Sequence, residues 1–117
     1  MVDYLSRYNK KNQGVKNNSG KGTPHPGEIW MVPNLDDIKD RPVLVIDYSQ
    51  NTVTFRKCTS QPSSFRPRDL VEDYYEAGLE KATYVDQEVR RIPRNRLAWK
   101  MGELTEYDRG KFGLSDN

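Results

Sequence analysis

Lys39-Asp40-Arg41-Pro42-Val43-Leu44-Val45-Ile46 is a polar approach that turns into an apolar strand. Val43 to Tyr48 reads as a strand buried on both faces. Ser49-Gln50-Asn51 turns the chain, and Thr52 to Cys58 alternates, with Val53, Phe55 and Lys57 against Thr52, Thr54, Arg56 and Cys58. That pattern predicts a hairpin whose second strand has one wet face. In such a hairpin the start of the first strand lies beside the end of the second. Arg41 and Thr59 then face a common groove, and a guanidinium converging with a hydroxyl suits a phosphate.

Working outward, Glu28-Ile29-Trp30-Met31-Val32 predicts a short strand, with Ile29 and Met31 on one face and Trp30 and Val32 on the other. Pro33-Asn34 ends it, and the connection to Arg41 is short and carries Asp36 and Asp37. Downstream, Pro62 to Pro67 reads as a loop. Arg68 to Ala77 predicts a short helix after the third strand, with Leu70, Val71, Tyr74 and Tyr75 as its apolar stripe. Gly78 would close it in a left-handed conformation, with Leu79 as the following hydrophobic contact. Thr83-Tyr84-Val85 and Glu88 to Ile92 are two more strand candidates, the second broken by Pro93. Thr105-Glu106-Tyr107-Asp108 has capping-box spacing and predicts a short C-terminal helix. The fold class expected is mainly β (α+β), a small, strongly bent barrel.

The chain has 117 residues, of which 34% are hydrophobic and 31% charged, so one thin-cored domain is expected and a dimer interface would help to bury apolar surface. Its net charge of +2 is uneven: residues 1–26 carry five cations against Asp3, a net +4, which leaves −2 for the rest. Residues 1–25 are expected to form a disordered basic tail, and 26–117 the folded domain. A solvated extension is the simpler reading of that tail. An electrostatic arm for nucleic acid is the sharper one, but the tail offers only Tyr4 and Tyr8 as interleaved aromatics. No apolar run is long enough to span a bilayer or to serve as a signal peptide, so no membrane contact is expected. The single cysteine, Cys58, forbids an internal disulfide and fits a reducing cytoplasm; with one histidine it also argues against a zinc site. No metal or cofactor is expected.

Four stretches in order resemble the PemK/MazF family of toxin endoribonucleases, in the fold shared with CcdB. Pro26-Gly27-Glu28-Ile29-Trp30 is similar to the family's opening strand, and Lys39 to Ile46 to its arginine-proline strand. Cys58-Thr59-Ser60-Gln61 stands at the place of its conserved threonine or serine. Val89-Arg90-Arg91-Ile92, Arg94-Asn95-Arg96-Leu97 and Gly102-Glu103-Leu104-Thr105 are similar to its late strand and the lead into its final helix. The resemblance covers roughly residues 26–113. It implies an SH3-like barrel, a homodimer, and metal-independent cleavage of single-stranded RNA, with Arg41 and Thr59 as the catalytic pair. It also implies a protein partner, an antitoxin whose acidic segment occupies the RNA groove.

Such cleavage needs the 2′-hydroxyl deprotonated, the phosphoryl oxygens stabilised and the leaving oxygen protonated. Arg41 suits charge stabilisation and leaving-group assistance, and is a poor base because its pKa lies above about 12. Thr59 can bond a phosphoryl oxygen and orient the attacking hydroxyl, with Ser60 in support. The expected products are a 2′,3′-cyclic phosphate and a 5′-hydroxyl end. Trp30, Lys39, Ser60, Gln61 and Arg90 are the candidate RNA contacts. For Trp30, as for Trp99, a place in the core or a dimer interface is the simpler role. For the basic run Arg90, Arg91, Arg94, Arg96 and Lys100 the simpler role is salt bridging to Glu72, Asp73 and Glu76. Cys58 reads as a small buried residue, since no histidine is positioned to activate it. His25 reads as solvent-exposed and inert.

Two alternatives to a ribonuclease stay open. One is a non-catalytic barrel that binds an antitoxin-like peptide, RNA or a host protein. The other is a CcdB-like poison of a protein target, which the Arg41–Thr59 pairing fits less well. Asp36 and Asp37 would repel RNA unless paired, with Lys39 or Arg41 as candidate partners. If either carboxylate holds Arg41, the binding reading gains.

Overall fold

The structure is a computed structural model that describes residues 23–62 and 67–114. The expectations for most of the basic tail and for most of the Pro62–Pro67 loop fall outside those residues. Among the described residues the fold is mainly β. Its strands are β1 (Glu28–Val32), β2 (Arg41–Tyr48), β3 (Thr52–Thr59), β4 (Arg68–Val71), β5 (Thr83–Asp86), β6 (Arg90–Pro93) and β7 (Trp99–Glu103). A 3-10 turn spans Arg94–Arg96, and a short helix, α1, spans Glu106–Lys111.

All the pairings are antiparallel, and the hydrogen-bonded order is β4-β5-β3-β2-β1-β7, with β6 also on β3. The sheet is open: among the described residues β4 and β7 are its two ends and no pairing joins them. The two bulges, at Val45/Asp47 against β3 and at Ile29/Trp30 against β7, bend it locally.

The β2–β3 hairpin forms as its pattern predicts. Ser49 N–H donates to Thr52 O at 2.8 Å across the turn. Val43, Leu44 and Val45 are wholly buried because the sheet has a hydrophobic cluster on each face. Ile29, Leu44, Cys58, Val71 and Val85 belong to one cluster, and Trp30, Val32, Val43, Val45 and Phe55 to the other. This arrangement is how a chain with few apolar residues keeps a dry core: β1 and β2 serve both sides. The far end of β2 departs from the expectation, since Asp47 and Tyr48 are exposed.

Between Pro67 and Leu79 the helix is not formed. Arg68–Val71 is β4, and 72–78 is a series of turns. Two long-range terms override the helical spacing of Leu70, Val71, Tyr74 and Tyr75. β4 pairs with β5 from Arg68↔Asp86 to Val71↔Thr83, and Arg68 Nε donates to Asp86 Oδ1 at 2.7 Å. A helix of this length is marginal by itself, so packing decides. The closing signal nevertheless works: Gly78 has φ +92°, and Leu79 N–H reaches Tyr74 O at 2.9 Å.

The C-terminal helix starts where the capping spacing puts it, with Thr105 Oγ1 accepting from Asp108 N–H at 3.4 Å. Asp108 does not complete a capping box. Its carboxylate is fully buried and accepts from Glu72 N–H at 3.2 Å and Asp73 N–H at 2.8 Å. It thus fastens the 72–78 turns to α1. The same turns meet β7 at Gly102, where a Cβ would lie 2.0 Å from Ala77 O. Glu103 N–H donates to that carbonyl at 3.1 Å, so the backbones touch directly.

Candidate phosphate-binding cleft

Pairing in the hairpin runs Val43↔Lys57, Leu44↔Arg56 and Val45↔Phe55. Carried two places toward the strand ends, this register sets Arg41 opposite Thr59. By alternation Arg41 shares a face with Val43, and Thr59 with Lys57. Both residues line a cleft of about 460 Å³ at this margin of the sheet. Lys39, Ser60 and Gln61 line it too, so five of the seven candidate site residues meet at one place. Its other wall is Leu79, Glu80, Lys81 and Thr83, with Met101 from β7 and Pro42 beside Arg41. The turns fastened by Asp108 and Gly102 deliver that wall.

Thr59 sits at the end of β3, where its Oγ1 accepts from Gln61 N–H at 3.1 Å. That turn presents Ser60 and Gln61 to solvent, and Arg68 Nη1 holds the Gln61 carbonyl at 2.5 Å. Arg41 is half-buried, and its Nη2 donates to Asp37 Oδ2 at 2.6 Å. Its Nε is buried without a hydrogen-bond partner among the described residues. The hydrogen bond from Arg41, then that from Lys39 N–H, holds the Asp37 carboxyl below the usual range, and Asp37 in turn raises the Arg41 pKa further. Asp36 goes elsewhere: Arg90 grips it through Nη1 at 2.9 Å and Nη2 at 2.8 Å, and Lys57 Nζ adds 3.0 Å. Arg90 and then Lys57 hold its carboxyl well below the ordinary value. Asp36 and Asp37 are therefore both paired, with Arg41 as one of the cations they use.

Two candidates lie outside the cleft. Trp30 is 4% exposed, and its indole N–H donates to Glu28 Oε1 at 2.9 Å. Its ring has no open face for a base, and it fills the core instead. Arg90 is committed to Asp36 and stacks over Phe55, with its guanidinium carbon 5.6 Å from the ring centre. Arg94, Arg96 and Lys100 of the basic run are also engaged within the fold, though not with Glu72, Asp73 and Glu76, and Arg91 is exposed. Arg94 caps the β2–β3 turn at Ser49 O, Arg96 reaches Asn34 O, and Lys100 bridges Glu28 and Glu103. Glu72 pairs with Lys111. Cys58 is 1% exposed, and burial pushes its thiol up to about 12.

Glu80 and Lys81 are the cleft residues the sequence left unmarked. They belong to no local motif and reach the site through the β5 pairing and the Gly102 contact. Lys39, Arg41 and Lys81 stand against Glu80 in the lining and Asp37 on Arg41, a balance of one positive charge that favours an anion. Among the described residues no group of His, Cys, Asp and Glu could hold a metal ion, and no helix is long and apolar enough to cross a membrane. No family model matches the chain, and no curated protein does.

Proposed function

We propose that this cleft binds a phosphodiester of single-stranded RNA and cleaves it, in the manner of the PemK/MazF-type toxins that the sequence resembles. One convergence supports the reading: Arg41 and Thr59, from opposite ends of a hairpin, line a single cleft with Lys39, Ser60 and Lys81. The RNA 2′-oxygen attacks phosphorus, the P–O5′ bond breaks, and O5′ leaves as a hydroxyl, taking its proton from water. Arg41 neutralises the phosphoryl oxygens as charge builds on them. Thr59 orients the 2′-hydroxyl, and Glu80 is the lining carboxylate able to take its proton. The products are a 2′,3′-cyclic phosphate and a 5′-hydroxyl. With this reading go an SH3-like barrel, a homodimer, a cytoplasmic setting and an acidic antitoxin as partner.

The test is incubation of the purified chain with a long single-stranded RNA in excess chelator. Wild type cuts, and Arg41→Ala lowers the rate about a hundredfold or more. Equal cutting by Arg41→Ala rejects the assignment. A second reading, a binding module that does not cleave, is favoured by the Arg41–Asp37 ion pair, because a carboxylate already holds the arginine. RNA binding that depends on Arg41, without cleavage by wild type, selects it.

A further inference from the structure

The connection from β1 to β2 has an anchored half and a free half. Leu35 is buried at 8% exposure in the cluster with Val32 and Val43. Asn34 adopts φ +52°, its carbonyl accepts from Arg96 Nη2 at 3.0 Å, and Asp36 is held by Arg90 and Lys57. Beyond Asp36 the chain is exposed, and Ile38 is 91% exposed, so no apolar contact pins it. Among the described residues, what ties this half to the cleft is one side-chain pair, Asp37 Oδ2 with Arg41 Nη2. The Asp37 side chain is 45% exposed and that of Arg41 34%, so water competes for both.

A carboxylate and a phosphodiester oxygen ask the same thing of a guanidinium: a planar N–H donor and a positive charge. Asp37 uses Nη2 alone, and the buried Nε–H has no partner among the described residues. The fork is therefore occupied but not saturated. Removing Asp37 from it breaks none of the contacts that hold residues 33–36.

Resting on the phosphate reading of the cleft, we propose that Asp37 is a built-in tenant of the Arg41 guanidinium that a phosphodiester must displace. Residues 37–40 thereby act as a latch on the site. The latch keeps Arg41 oriented and its charge satisfied when RNA is absent, and it sets a threshold for weak anions. A ligand that contacts Lys39, Lys81 and Thr59 together with Arg41 outcompetes one carboxylate, whereas a single free anion does not.

The test uses the whole chain as wild type, Asp37→Asn, Asp40→Asn and Arg41→Ala. The probes are inorganic phosphate and a fully 2′-O-methylated RNA octamer, which cannot be cut by 2′-oxygen attack. Asp40→Asn removes the same charge beside Arg41 without vacating the fork. Asp37→Asn should bind the octamer roughly three- to tenfold tighter than wild type, bring phosphate into measurable binding, and change clearly more than Asp40→Asn. The Arg41 Nε–Hε NMR signal should move with phosphate in Asp37→Asn and hardly in wild type. Unchanged or weaker binding by Asp37→Asn overturns the latch, as does an equal gain from Asp40→Asn. Octamer binding untouched by Arg41→Ala overturns the phosphate reading as well. A wild type that cuts no RNA while these affinities hold removes the catalytic step and leaves the latch supported.

Discussion

Replacing Asp108 probes the joint on which the cleft wall depends. Its buried carboxylate accepts from Glu72 N–H at 3.2 Å and Asp73 N–H at 2.8 Å, and Thr105 Oγ1 beside it donates to Asp73 Oδ2 at 2.9 Å. Asp108→Ala leaves both backbone donors without an acceptor. Each lost bond costs about 1–1.5 kcal/mol at a partly buried site, and the loss of a negative group in the first turn of α1 adds about 0.5 kcal/mol. The sum is about 3 kcal/mol. For a domain of this size that corresponds to a fall in Tm of roughly 12–24 °C. Asp108→Asn keeps one carbonyl acceptor and should lose about half as much. Urea unfolding at constant m-value reads both. An Asp108→Ala variant within 0.5 kcal/mol of wild type, or an Asn variant as damaged as the Ala variant, would refute the reasoning.

Other consequences follow from the same structure. Gly102→Ala puts a Cβ 2.0 Å from Ala77 O; the backbones must part, at a loss of about 2–3 kcal/mol in urea unfolding, and a loss under about 1 kcal/mol would contradict the close approach. With its thiol at about 12, Cys58 should be unreactive to a disulfide reagent at pH 8, since only about one molecule in ten thousand is ionised; modification within seconds in the folded state would contradict its burial. Asp36 has a folded pKa below its unfolded one, so its contribution to stability is present above about pH 4 and is lost as pH falls through the folded value. The stability gap between wild type and Asp36→Asn should therefore narrow on acidification from about pH 5 toward pH 2, and a constant gap would mean that the Arg90 and Lys57 contacts are not formed in solution.

The parts legible in the sequence are those fixed by neighbours along the chain. The alternation of Thr52 to Cys58 and the apolar start of β2 define a hairpin without further information, and the hairpin by itself brings Arg41 to Thr59. Turn and cap signals at Gly78 and Thr105 also hold, because they depend on local backbone geometry. What the sequence hides is settled at long range. β4 reads as a helix until its pairing with β5 is known. In β7 the alternation of Trp99 and Met101 with Lys100 and Gly102 is too short to stand out, and Gly102 is explained only by the Ala77 carbonyl. Glu80 and Lys81 become site residues through those same contacts. Arg90 and Trp30 were sequence candidates for RNA contact on charge and size, and each turns out to satisfy a carboxylate within the fold: Asp36 and Glu28. Asp36 and Asp37, adjacent in sequence in a run of bends, take different cations, a division that no local pattern announces.

The most direct measurement is the chemistry of the ends left on RNA by the wild-type chain in chelator, beside Arg41→Ala. Phosphodiester cleavage at the Arg41–Thr59 cleft predicts 2′,3′-cyclic phosphate and 5′-hydroxyl ends, absent or reduced about a hundredfold or more in the variant. Intact RNA, 5′-phosphate ends, or equal cutting by both proteins would contradict it.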